Sequence, residues 1–284
     1  KPSEIVIENF NDRHEAERII SSALKLPPER RVSFISEILL GRKYTPETKK
    51  RIKKQHAAPK NKREASNQRP LPVECLKTSL KYLDCMTYVE HVLALAFSEQ
   101  PKYVDAFLPR LVDVMFDAGG APLMNHLRSH FTSHWADVNE RKGYLTNIAR
   151  GHPAAKIRSV VLNKVADNRT FFVEDRFMIA TAPQVINYFP LEAVFSRSAP
   201  LRSGDVIALV CDKEGLDVLH MGFYFEQRGK RLLRHASSKL NRLIDQDFDA
   251  YLRDRRGVIG LMVLRPRLEA PIPCRYHILH HNRK

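Results

Sequence analysis

The sequence predicts an α+β protein in which helices come first and an antiparallel sheet follows. Two observations point there. Before residue 117, apolar residues recur at helical spacing in four stretches. From about Ala154 onward, short runs of β-branched and aromatic residues take over, separated by turn residues. Helices and strands segregated along the chain fit the α+β class.

The opening helix follows an Asn11-Asp12 cap and carries Ala16, Ile19, Ile20 and Ala23, and Pro27-Pro28 breaks it. A second amphipathic helix carries Val32, Ile35, Ile38 and Leu39 and ends at Gly41. Residues 1–48 are therefore expected as a helical lead-in packed on the main core. Residues 49–70 are expected as a basic surface loop, since Lys49 to Glu64 holds eight basic residues and one acid. Residues 71–284 form the principal domain, making one structural unit with the lead-in.

That domain opens on Leu83-Asp84-Cys85-Met86-Thr87-Tyr88-Val89-Glu90. Asp84 suits a helix N-cap, Cys85 falls in the first turn, and Val89, Val92, Leu93, Ala96 and Phe97 recur at helical spacing. A thiol there feels the positive end of the helix dipole, which lowers its pKa and favours the nucleophilic thiolate. From this segment alone, a small buried apolar role is equally open to Cys85. A further helix is predicted from Tyr103 to Phe116, with Val104, Phe107, Leu108, Leu111 and Met115 on one face, kinked or split at Pro109. His126, His130 and His134 would share a helical face, but no carboxylate completes an HExxH arrangement, and no metal site is expected. Trp135, the only tryptophan, offers either a flat face to substrate or a packing side chain.

Strands are predicted at Phe171-Phe172-Val173, at Val206–Val210 after the Ser203-Gly204-Asp205 turn, at Val218–Glu226, at Arg231–Ser237 and at Val258–Leu264. The tail from Pro271 through His281 is expected to be irregular. If Arg228-Gly229 centres the turn between the third and fourth of these, Glu226 faces Arg231 and Gly222 faces His235. His220 and His235 are then diagonal neighbours on one face, close enough for their imidazoles to meet. Cys85, His220 and His235 together supply a thiol nucleophile, a general base and an orienting group. Backbone N–H groups at the start of the Cys85 helix are expected to stabilise the oxyanion.

Composition sets the outer limits. The 284 residues are 43% hydrophobic and 28% charged, which describes a globular chain with a sizeable core. No uninterrupted apolar stretch is long enough to span a bilayer. The net charge of +15 suits a polyanionic partner: nucleic acid, an anionic membrane or wall polymers. The basic loop lacks interleaved aromatics that would stack on bases, so nucleic acid is disfavoured. The four cysteines, Cys75, Cys85, Cys211 and Cys274, are most simply all reduced.

The Leu83–Glu90 segment, His220-Met221-Gly222-Phe223 and Arg234-His235-Ala236-Ser237-Ser238 jointly resemble the N-acetylmuramoyl-L-alanine amidase-like family of the NlpC/p60 group of papain-like cysteine hydrolases. Leu40-Gly41-Arg42-Lys43-Tyr44 resembles that family's Gly-x-x-Tyr element, Ser133-His134-Trp135 its aromatic segment, and Ser203-Gly204-Asp205-Val206 its turn-strand. The resemblance runs from about Gly41 to about Leu264. It implies a papain-like fold, with the nucleophile cysteine at a helix N-terminus packed on an antiparallel sheet, and a Cys85-His220-His235 triad with no metal or other cofactor. It implies hydrolysis of the amide between the muramic acid lactyl group and L-alanine in peptidoglycan fragments. Asp84, Trp135 and Ser237 become candidate substrate-binding residues, with helix capping the other role for Asp84. It also implies a periplasmic or secreted protein whose leader was removed ahead of Lys1. A cysteine peptidase or acyltransferase on the same scaffold, and a non-enzymatic nucleic-acid-binding protein, are the competing expectations.

Overall fold

The computed structural model describes residues 6–7, 12–45, 75–76, 78–117, 128–164 and 182–276. In chain order these form β1 (Val6–Ile7), α1 (Arg13–Ala23), α2 (Pro28–Ile38), β2 (Lys43–Tyr44), β3 (Cys75–Leu76), β4 (Tyr82–Leu83) and α3 (Cys85–Ala96). A π-helical turn, Tyr103–Phe107, runs into α4 (Leu108–Met115), followed by α5 (Thr132–Arg141), β5 (Leu145–Asn147), β6 (Lys156–Leu162), β7 (Ala182–Pro190) and α6 (Leu191–Phe195). The last third holds β8 (Val206–Cys211), β9 (Val218–Gln227), β10 (Lys230–Ser237), β11 (Arg242–Asp247), α7 (Phe248–Arg253) and β12 (Val258–Pro266).

One ten-stranded sheet dominates, in the order β4-β2-β11-β10-β9-β8-β12-β7-β6, with β5 pairing β12 beside β7. Its pairs are antiparallel except β2 with β4. The architecture is therefore α+β, as composition and patterning predict. Two hydrophobic clusters lie on opposite faces of the sheet. One joins α1 to α5 with Met221, Phe223, Phe225 and Ala236. The other joins Tyr224 and Leu233 with Phe248, Tyr251 and Leu252 of α7.

α3 sits inside the first cluster, and every residue from Thr87 to Ala96 is buried. Tyr88 meets Phe223 of β9 edge-on at 5.5 Å, which seats the helix on the sheet. Each large apolar side chain buried this way contributes about 1.5–3 kcal/mol. The helix also carries a fully buried Glu90, whose carboxylate is bonded twice by Arg128.

Several local expectations are modified. α1 follows Asp12, but the Asp12 carboxylate accepts from Leu80 N at 2.8 Å instead of capping its own helix. It thereby ties α1 to the chain entering α3. The helix predicted from Tyr103 to Phe116 divides ahead of Pro109, which falls in the first turn of α4, where a missing N–H is tolerated. α5 begins only at Thr132, so His130 precedes the helix that carries His134, and the two share no helical face. β6, β7 and β11 had no sequence signal that stood out. Residues 49–70, including Lys49–Glu64, lie outside the described residues, as do Phe171–Val173, Gly119-Gly120, His126 and the tail beyond Tyr276. Cys85, Cys211 and Cys274 are free thiols.

Candidate active site

The nucleophile candidate is positioned by a capping box. The Asp84 carboxylate accepts from Met86 N at 3.0 Å and Thr87 N at 2.8 Å, and Thr87 Oγ1 accepts from Asp84 N at 2.8 Å. An N-cap of this kind is worth about 0.5–2 kcal/mol. It makes Cys85 the first residue of α3, half-buried, at the positive end of the helix. Asp84 itself is buried, and the capping bonds all go to its Oδ1. Because Met86 N and Thr87 N are bonded to Asp84, these two amides are unavailable to an oxyanion, which narrows the expectation for the helix start to the amide of Cys85 itself.

β9 and β10 close in the register derived from the turn. Glu226 pairs Arg231 and Phe223 pairs Arg234, so His220 and His235 share the face that looks toward α7. Nε2 of His220 lies 2.7 Å from Nδ1 of His235, with the rings perpendicular. Gly222 stands opposite His235, and a Cβ there would come within 2.8 Å of His235 Cβ, so only glycine leaves the diagonal open. Burial pushes the His235 pKa down, Arg255 adds to this, and the Gln246 bond and Asp245 oppose it. His235 is therefore neutral around pH 7.

Tyr251 of α7 completes the cluster. Its ring lies 4.9 Å from the His235 ring and 6.1 Å from that of His220. Burial raises the Tyr251 pKa most, Arg255 lowers it, and the nearby Cys85 raises it further. Tyr44 is raised likewise, by burial first and then by Cys85 and Asp84. Cys85 thus lies within electrostatic range of the aromatic ring that touches both histidines. Both phenols keep their protons at neutral pH and can act as donors.

The proposed substrate residues divide. Trp135 is fully buried in the core, so the structure gives it packing rather than a substrate-facing role. Ser237 is buried on the histidine face, and its Oγ accepts from Leu240 N in the β10–β11 turn. Among the described residues, no group of three or more His, Cys, Asp or Glu side chains is arranged to hold a metal ion. His134 is part-buried, and desolvation lowers its pKa.

Gln246 was not singled out from sequence. Its Oε1 lies 2.7 Å from His235 Nε2. The β10–β11 turn could have revealed it: with Ser237 opposite Arg242, Gln246 falls opposite Leu233, one diagonal step from His235.

A family model described as AmiA-like, N-acetylmuramoyl-L-alanine amidase-like, matches residues 59–258. The chain belongs to this amidase-like family. Among solved structures, a Legionella pneumophila protein is 20% identical, with a TM-score of 0.68, over 93% of this chain and 97% of its own. An N-acetylmuramoyl-L-alanine amidase from Bacteroides uniformis is 20% identical, with a TM-score of 0.60, over 87% and 98%. A Bacteroides fragilis protein described as a candidate xylanase is 23% identical, with a TM-score of 0.59, over 80% and 96%. At these identities the likeness shows a shared fold. No curated protein matches the chain.

Proposed function

We propose that this protein is a papain-like cysteine amidase of the NlpC/p60 group that cleaves the N-acetylmuramoyl–L-alanine bond of peptidoglycan fragments. Family membership supports the amidase class. The observation that carries the chemistry is the 2.7 Å His220–His235 pair, with Cys85 opening a helix nearby and Tyr251 within reach of all three.

In this mechanism His220 takes the Cys85 thiol proton, and the sulfur electron pair attacks the lactyl carbonyl carbon. The tetrahedral intermediate collapses as the C–N bond breaks. The leaving amine of L-alanine takes the proton from His220. A water molecule, deprotonated by His220, then attacks the thioester carbonyl and releases the muramic acid carboxylate and the Cys85 thiol. His235 holds the His220 ring throughout. Tyr44, protonated beside Cys85, is a suitable donor to the developing oxyanion. The +15 charge suits an anionic envelope, and the protein's place of action is the periplasm or outside the cell. Recovery of the native protein solely in the cytosolic fraction would count against that placement.

Cys85→Ala and His220→Ala are each expected to abolish release of peptide from muropeptides, and His235→Ala to reduce it less. Mass spectrometry of the products should show the cut before L-alanine. A cut between amino acids would mark a peptidase on the same triad. Full hydrolysis by Cys85→Ala would refute the mechanism.

A further inference from the structure

We infer that Gln246 is a positioning residue that fixes the proton arrangement of the His220–His235 pair, so that His220 meets Cys85 as a base; this rests on the cysteine-amidase function proposed above. Gln246 lies in β11, its Oε1 2.7 Å from His235 Nε2. An amide oxygen accepts and cannot donate. His235 Nε2 therefore carries the proton, and the neutral ring turns its Nδ1 lone pair toward His220. His220 Nε2 donates into that lone pair at 2.7 Å. One tautomer of His220 follows, with its base lone pair on Nδ1. The chain Gln246–His235–His220 crosses three adjacent strands, β11, β10 and β9, by two diagonal steps.

The end group matters as much as the geometry. When His220 takes the thiol proton, its Nε2–H continues to donate to His235. Gln246 offers no site for a second proton, so the positive charge stays on His220, beside the thiolate it stabilises. The other groups facing His235 are Tyr251 of α7 and Arg255 just beyond it, while Asp245, held by Arg234 on the opposite face of the sheet, acts on it through the field alone. Burial and Arg255 disfavour a charged His235 and Asp245 favours it, with burial the largest influence. A carboxylate at position 246 would shift this balance and hold a proton on the pair to higher pH.

Two variants test this. Gln246→Leu removes the acceptor, and Gln246→Glu keeps an acceptor oxygen and adds charge. The readouts are the pH profile of kcat/KM on muropeptides and the pH dependence of Cys85 alkylation by iodoacetamide, followed on the Cys85 peptide by mass spectrometry. Gln246→Leu is expected to slow both by about tenfold to a hundredfold at neutral pH, as a buried donor loses its partner. Gln246→Glu is expected to stay within about tenfold of the wild-type rate, with the alkaline limb of both profiles moved to higher pH by about one unit. A merely structural Gln246 would alter stability and leave the profiles in place. Wild-type rates in folded Gln246→Leu, or an unmoved profile in Gln246→Glu, overturn the proposal. If Gln246→Leu fails to fold, the Gln246→Glu profile decides alone. Hydrolysis that survives Cys85→Ala removes the underlying mechanism instead, whereas Cys85-dependent hydrolysis with an unmoved Gln246→Glu profile removes only the role of Gln246.

Discussion

Gly222→Ala puts the closeness of β9 and β10 to a direct test. The added Cβ would lie 2.6 Å from the Arg234 carbonyl oxygen and 2.8 Å from His235 Cβ. Both atoms are fixed to the β10 backbone, so relief requires the strands to part. Ordinary contact begins near 3.4 Å, so His235 must retreat by 0.6 Å or more, the difference between 3.4 and 2.8 Å. Taken along the His220–His235 bond, that stretches 2.7 Å beyond the usual hydrogen-bond range of about 3.2 Å. Overpacking of this kind costs about 1–3 kcal/mol, a fall in Tm of about 2–10 °C for a chain of this size. Misplacing the base costs about tenfold to a hundredfold in kcat/KM. Thermal unfolding and muropeptide hydrolysis, measured on one preparation, read both effects. A variant with wild-type Tm and wild-type kcat/KM would refute the claim that glycine is required to leave the diagonal open.

Further outcomes follow from other sites. Arg228 and Gly229 both have positive φ, +50° and +75°, at the centre of the β9–β10 turn. Arg228→Asn suits that conformation better, and should raise Tm by about 1–3 °C with activity unchanged; a lower Tm would contradict it. His91 is buried between Thr78 Oγ1 and Thr87 O, each at 2.6 Å, and burial above all lowers its pKa to about 4. Its unfolded form protonates near pH 6.5 while the folded form stays neutral. Stability is therefore complete above about pH 6.5 and falls as pH drops toward 4, by at most about 3 kcal/mol. Urea unfolding between pH 7 and pH 4 should show a shallower acid loss in His91→Gln, and parallel curves would dismiss the effect. With a thiol nucleophile, iodoacetamide should end hydrolysis and EDTA leave it unchanged; inhibition by EDTA alone would point to a different chemistry.

The β9–β10 register was legible because a two-residue turn with glycine leaves few ways to pair two apolar strands, and both histidines then followed by counting. Cys85 was legible for a similar local reason, since Asp84 and Thr87 stand at capping-box spacing ahead of a long apolar helix. β11 was harder. Its sequence, Arg242 to Asp247, has only two apolar residues, Leu243 and Ile244, and those adjacent, and what holds it as a strand is tertiary: Asp245 is paired twice by the buried Arg234, which reaches across from β10. Gln246 was hidden with it. β6 presents Ile157 and Val161 to solvent, which blurs the alternation that would have marked it. Trp135 illustrates a different limit. A lone tryptophan has the same local pattern whether it lines a cleft or fills a core, and only its tertiary neighbours, which leave it fully buried, decide.

The histidine–glutamine chain exists only where two successive hairpins have both closed correctly. A one-residue slip in either turn would keep much of the backbone ladder while sending a histidine or Gln246 to the opposite face. Such molecules would be compact and yet inert. Turnover per chain, compared with the fraction of Cys85 that alkylates rapidly, would then measure the fidelity of folding as well as the chemistry. A refolded preparation that is inactive despite native secondary structure would be explained by misregistered strands, without chemical damage to the site.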